Sequence, residues 1–248
     1  MQAFIIALQF LTRIPVNFNV DWNDKNVAAS VLWYPVVGAL IAGLLVLLAM
    51  LLNARVDAML SAALLLSVWV MITGGLHLDG LADTADAWVG SHENKQRALE
   101  IMKDPAAGPI AVTVLLLVLL IKFSALYSLL KLENYGLLFM PVVIGRCVPM
   151  ILFLTTPYVR EQGLGSIMAS HLPRNFALAV LFLVSLFVVL ALGFINGVLL
   201  IVITLLALGG LRFLMLKQIG GMTGDTIGAS IEIIEMMVLC VIVFMFIN

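Results

Sequence analysis

The sequence predicts an all-α fold, a polytopic membrane helical bundle of about seven transmembrane helices plus an amino-terminal interfacial helix. Hydrophobic residues make up 63% of the 248 positions and the mean hydropathy is +1.18, well beyond the roughly one-half apolar content of soluble domains. Apolar runs recur along the whole length, each about as long as the ~20 helical residues a bilayer core requires. Charged residues, 11% of the chain, gather between those runs. A transmembrane β-barrel is excluded, because its strands would alternate polar and apolar residues over only about ten positions.

The elements follow in order. The start, Met1 to Pro15, is apolar but short, and Arg13 and Pro15 end it; it predicts a half-buried or interfacial helix rather than a cleaved signal. Crossings are then drawn at 28 to 52, 56 to 76, 108 to 131, 134 to 157, 176 to 193, 195 to 216 and 229 to 247. No repeat, linker or low-complexity tract divides residues 1–248, so a single domain is expected.

Connections near 53 to 57, 131 to 135 and 193 to 197 are short, whereas 77 to 107, 158 to 175 and 217 to 228 are long and polar. The amino-terminal segment and the long connections carry Arg13, Lys25, Lys95, Arg97, Lys103, Arg160, Arg174, Arg212 and Lys217, against Arg55 and Lys131 on the short ones. The positive-inside rule therefore places the amino terminus and the long connections in the cytoplasm. An odd number of crossings puts the carboxyl terminus outside.

A net charge of −1 gives no reason to expect a nucleic-acid partner. Cys147 and Cys240 both sit in apolar runs, which argues against a disulfide framework or a zinc site. His77, His92 and His171 lack metal-ligand spacing, and only His77 sits in a suggestive place, within the acid- and glycine-rich segment Thr73 to Trp88.

The segment Thr73 to Trp88, TGGLHLDGLADTADAW, puts Asp79, Asp83 and Asp86 at spacings of four and three. On a helix they share one face. Three unpaired like charges repel, and Mg²⁺ asks for one or two carboxylates with its other positions left to water and phosphate oxygens. The competing reading is an acidic first helical turn that meets the helix dipole; Gly74, Gly75 and Gly80, which allow close backbone approach, weigh against it.

Two further clusters lie on the same side. Glu100 and Asp104 are four apart in EIMKDPAAG, where Pro105 and Gly108 break the helix; they read either as a second cation site or as a plain amphipathic helix with Arg97 and Lys103 as charge partners. In Gly220 to Glu235, GGMTGDTIGASIEIIE, Gly220, Gly221 and Gly224 make a flexible turn, and Asp225, Gly228, Glu232 and Glu235 then fall on one helix stripe. Carboxylates inside an apolar run should face the bundle interior with a partner, and Lys122 and Arg146 are the cations available there. Those four form either structural ion pairs or part of a site in which Arg146 grips an anionic phosphate. His77 reads as a general base or diphosphate ligand, or as an interfacial cap.

In this order over most of the chain, GGLHLDGLADTADAW, EIMKDPAAG, the Gly145-Arg146 pair and GGMTGDTIGASIEIIE resemble the cobalamin synthase (adenosylcobinamide-GDP ribazoletransferase) family. Thr12 to Pro15 and Tyr34 to Gly38 are also similar to that family's amino-terminal segments. The chain departs from the family pattern at Pro105 and Ala106, where Ser-Arg is frequent, and at Met222, where Gln is frequent.

The resemblance implies a Mg²⁺-dependent phosphotransferase of the bacterial cytoplasmic (inner) membrane, with its active face in the cytoplasm. Its substrates are then adenosylcobinamide-GDP and α-ribazole or its 5'-phosphate, and its products a cobamide and GMP. On this reading Asp79, Asp83 and Asp86 hold the metal, Asp86 or Asp104 accepts the attacking hydroxyl's proton, and His77, Gly80, Lys122, Arg146, Gly224, Asp225, Glu232 and Glu235 contact substrate. A homo-oligomer, or a complex with other nucleotide-loop assembly enzymes, stays open. So do two rival functions: another Mg²⁺-dependent membrane phosphotransferase acting on nucleotide-diphospho-alcohols, whose acid spacing is similar, and a cation transporter, which would want its acids near the midplane.

Overall fold

The computed structural model describes residues 1–15 and 18–246. It begins with α1 (Gln2–Leu11), whose Ile6, Ala7 and Leu11 are fully enclosed while its opposite side stays open. This is the short half-buried helix expected. It ends at Leu11, with Thr12 extended, and Arg13 N–H then donates to the carbonyl of Ile72 at 2.7 Å. The amino-terminal segment is thereby tied to the end of the second crossing.

The first crossing joins α2 (Asp24–Ser30), a 3-10 turn at 31–33 and α3 (Tyr34–Asn53) into one apolar stretch. Asn23 caps α2 by accepting from Asn26 N–H at 2.9 Å. The second crossing, α4 (Ala58–Thr73), starts where Asp57 accepts from Met59 N–H and Leu60 N–H, an N-cap of the usual kind. It stops at Gly74 and Gly75, both left-handed with φ of 64° and 68°. These two residues turn the chain by 88° into α5 (Leu76–Gly90), a turn that side chains with a Cβ resist. α5 runs across the end of the bundle, outside the crossing segments.

After the short α6 (Lys95–Ile101) come α7 (Pro109–Lys131), α8 (Phe139–Thr155, entered through a 3-10 turn at 135–138), the connecting α9 (Leu164–His171), α10 (Arg174–Leu192), α11 (Phe194–Ile219) and α12 (Gly224–Phe246). Six helices are long and apolar enough by themselves to cross a membrane, and the count reaches up to seven if α4 is taken with its bent continuation as one span. The chain is thus a multi-pass membrane protein. The crossings fall close to those drawn from sequence, except that α12 starts at Gly224 rather than 229, so Asp225 occupies its first turn.

α8 is the most enclosed crossing and α10 the least. α12 packs against α5, α7, α8 and α11 and forms the hub of the bundle. In lipid, apolar side chains gain little by leaving the bilayer, so helices associate through close packing and small residues. The α5–α12 crossing shows this. A Cβ on Gly80 would lie 2.7 Å from the carbonyl oxygen of Asp225 and one on Gly228 would lie 3.3 Å from the Cα of His77. The glycines let two backbones touch, and this contact brings the acids of both helices to one edge.

Candidate active site

α5 presents its acids toward that edge. Asp79 is exposed, whereas Asp83 and Asp86 are half-buried. From α12, Asp225 comes up beside them, held by Arg160 Nη2 at 2.5 Å. Partial burial, and then the negative charges of Asp225, Asp79 and Asp86, push the Asp83 carboxyl up to about 6, with Arg160 opposing. That shift measures how little the site favours a further negative charge, which is the condition a bound cation relieves.

Asp86 has a different task. Its two oxygens accept Gly108 N–H at 2.5 Å and Ala111 N–H at 2.9 Å, two of the amides left unpaired at the start of α7. The α5 helix therefore caps α7 from outside. Asp86 belongs to the site as the residue that fixes the loop after α6, with both oxygens already engaged.

Beneath Asp79 and Asp225 lies a cavity of about 170 Å³, bounded by His77, Tyr34, Tyr158, Leu11 and the turn at Gly224. His77 is buried there and its Nδ1 has no hydrogen-bond partner, the state of a group awaiting a ligand or water. Tyr158 closes one side, packed against Gly165 and beside the turn at Gly224. Its segment is pinned to the turn before α12, with Val159 N–H donating to Met222 at 3.0 Å and Met222 N–H to Pro157 at 2.9 Å.

Lys122, Arg146, Glu232 and Glu235 form a separate, closed quartet deeper in the bundle. Lys122 Nζ donates to Glu232 at 2.8 Å and to Glu235 at 2.7 Å, while Arg146 Nη1 donates to the other oxygen of Glu235. The Lys122 ammonium also lies 4.3 Å from the centre of the Trp69 ring. The quartet is neutral overall and does not itself line the cavity, but Arg146 and Lys122 lie close enough for their charges to act on His77, which does. Arg146 retains two buried donors, Nε and Nη2, without partners.

The remaining expected residues stand apart. Glu100 pairs with Arg97 at 3.3 Å on an exposed face; of the two expected charge partners, Lys103 forms no ion pair with Asp104 among the described residues. Asp104 is exposed, and its Oδ1 accepts Ala106 N–H at 3.0 Å to shape the loop leading to Gly108. Gly80 packs against the α12 backbone at Asp225 and also lines the cavity. Arg160 and Tyr158 are the site residues sequence reasoning missed. Arg160 entered it only as one positive charge on a long connection.

The residues fit a hard cation in an open rather than caged form. Among the described residues no three Asp, Glu, His or Cys side chains converge on one point. Asp79 and Asp83 nonetheless give the one or two carboxylates that Mg²⁺ takes from protein when water and phosphate complete its shell.

Fold and site together define an integral membrane protein with an acidic centre, suited to a hard cation, at one edge of its helical bundle. The cobalamin-5-phosphate synthase family model matches residues 3–243, and the chain belongs to that family. It is similar to the adenosylcobinamide-GDP ribazoletransferase of Pseudomonas entomophila, with 48% identity over 239 residues covering 96% of this chain and 97% of the relative. The enzyme of the same name from Acinetobacter baumannii is 46% identical over 235 residues, covering 95% and 94% of the two chains. No solved structure gives a significant match.

Proposed function

We propose that this protein transfers the adenosylcobinamide phosphate group of adenosylcobinamide-GDP to α-ribazole or α-ribazole 5'-phosphate, releasing GMP and forming the cobamide. The observation that carries the reading is the meeting of Asp79, Asp83 and Asp225 with Arg160 above a cavity, in a chain that matches relatives bearing that name over nearly its whole length. A diphosphate ester needs both signs of charge nearby, cations for its oxygens and a base for its attacker.

Asp79 and Asp83 would hold Mg²⁺, which when bound neutralises charge on the diphosphate. Arg160 is the guanidinium nearest the acids and is suited to a phosphate oxygen; Asp225 orients it until substrate arrives. His77 and Tyr158 line the cavity where part of a substrate is held away from water. An in-line attack by the ribazole hydroxyl on the cobinamide-side phosphorus forms the new P–O bond and breaks the bond to the GMP oxygen. Asp86 or Asp104 would take the hydroxyl proton: Asp86 lies on α5 with Asp79 and Asp83, each of its oxygens accepting one amide hydrogen and keeping a further lone pair, and Asp104 lies on the exposed loop before Gly108.

The basic residues of the long connections support the reading that this face lies in the cytoplasm, at the bacterial inner membrane, where nucleotides are available. A complex with other nucleotide-loop enzymes would dock on the same face. The transporter alternative loses support because the mid-bundle acids are neutralised by Lys122 and Arg146 within a closed quartet. The deciding experiment incubates the purified protein in liposomes with adenosylcobinamide-GDP, α-ribazole 5'-phosphate and Mg²⁺. A cobamide and GMP in equal amounts are expected, and intact substrates after prolonged incubation would remove the assignment.

A further inference from the structure

α10 packs along α11 and more lightly against α8, and a cavity of about 510 Å³ lies between the three helices. Its walls are apolar, with Cys147 and Ile151 from α8, Leu181 and Val188 from α10, and Ile201 and Leu205 from α11. The volume falls in the range of small-molecule sites. Because α10 and α11 are the least enclosed crossings, the cavity faces the acyl-chain region of the bilayer rather than the site under Asp79.

The end nearest the acidic face is not apolar. Arg174 Nη2 donates to the carbonyl of Leu154 at 2.9 Å, and Arg212 donates through Nε at 3.1 Å and Nη2 at 2.8 Å to the carbonyl of Thr155. Two guanidinium groups from different helices thus meet at consecutive carbonyls that end α8. The helix dipole supports them in part. Neither meets a carboxylate among the described residues, and each retains N–H donors beyond those bonds. Paired like charges at the mouth of an apolar groove ask for one ligand, anionic at its head and hydrocarbon behind it.

We propose that the groove between α8, α10 and α11 is a binding site for one anionic phospholipid, with its phosphate on Arg174 and Arg212 and an acyl chain along Ile151, Leu181 and Ile201. Basic pockets between transmembrane helices select anionic head groups in this way, and forked guanidinium donors match phosphate oxygens. A zwitterionic lipid brings its own cation toward the arginines and is disfavoured. The site is separate from the acidic centre and its occupancy does not depend on the reaction assigned there.

The test is native mass spectrometry of the full-length protein, delipidated in detergent and titrated with phosphatidylglycerol or phosphatidylcholine. One phosphatidylglycerol should be retained at lipid concentrations where phosphatidylcholine is not, and Arg174→Gln combined with Arg212→Gln should weaken that retention by about tenfold or more. Since those arginines also cap α8, Ile201→Trp serves as a second variant that fills the groove with both arginines in place; it too should displace the lipid. Excess inorganic phosphate should leave the lipid bound. Equal retention of the two lipids, unchanged retention in Ile201→Trp, or displacement by phosphate alone would each overturn the proposal.

Discussion

Asp86 and Gly108 are joined by a 2.5 Å hydrogen bond across two helices, and the fit leaves no room for a side chain, since a Cβ on Gly108 would lie 2.8 Å from both carboxylate oxygens. This contact sets where α7 begins relative to the acids of α5. Asp86→Ala frees two amides at the start of α7 and is expected to cost about 0.5–2 kcal/mol, as the loss of a helix cap does. Gly108→Ala should cost a similar amount by pushing the carboxylate off its amides. Thermal unfolding in detergent measures both. Asp86→Asn should keep most of the Mg²⁺-induced rise in unfolding temperature, because its oxygen still accepts from one amide while Asp79 and Asp83 remain. Complete loss of that rise would make Asp86 a metal ligand after all.

The residues whose roles were legible in sequence are those whose chemistry is costly where they stand. Glu232 and Glu235 in an apolar run demanded cations, and Lys122 and Arg146 are the cations the structure brings to them. The crossings were legible for the same reason, as each is an apolar stretch of bilayer length. Spacing on one helix could not reveal which oxygens tertiary contacts claim, so Asp86 looked identical to Asp79 and Asp83. Nor could it place Arg160, which reaches Asp225 only because two backbone hydrogen bonds pin its connection to the turn before α12. The glycines signalled close approach correctly: Gly80 meets the backbone of α12 and lines the cavity at the same contact.

Asp79→Ala or Asp83→Ala is expected to reduce transfer by about 10²-fold or more, the scale seen when a group that stabilises transition-state charge is removed. Insertion and unfolding temperature should change little, because Asp79 is exposed and Asp83 lies at the edge of the bundle. The measurement is cobamide formation in liposomes containing equal amounts of inserted protein. Turnover within a few-fold of the parent at saturating Mg²⁺ would remove both residues from the centre.

Asp83 also predicts a pH dependence. Its carboxyl is raised to about 6 by burial and by the charges of Asp225, Asp79 and Asp86, so without metal the fold favours the protonated form. The sign for stability follows: this contribution is present below the ordinary aspartate range and is lost as pH rises through about 6. Mg²⁺ requires the ionised form and competes with the proton. The Mg²⁺-induced rise in unfolding temperature should therefore be larger at pH 7 than at pH 5, and Asp83→Asn should flatten the difference. An equal rise at both pH values in the parent protein would contradict the cation site at Asp83.

The quartet offers the most discriminating stability test, because its members are unequally connected. Glu235 accepts from both Lys122 and Arg146, whereas Glu232 meets only Lys122. Removing one partner from a buried ion pair leaves an uncompensated charge and costs about 3–5 kcal/mol. Glu235→Gln leaves Arg146 without a carboxylate while Lys122 keeps Glu232, and should fall in that range, with Glu232→Gln costing less because Lys122 and Arg146 both keep Glu235. Lys122→Met leaves two carboxylates to share Arg146 and should be the most damaging single change. Adding Glu232→Gln to Lys122→Met restores neutrality around the Glu235–Arg146 pair, so the double variant should unfold at a higher temperature than Lys122→Met alone. Losses that simply add would mean that the four charges do not act as a unit. A Glu232→Gln variant of unchanged unfolding temperature but reduced turnover would instead show that the quartet communicates with the reacting groups, since a purely structural ion cluster moves activity only through the stability of the fold.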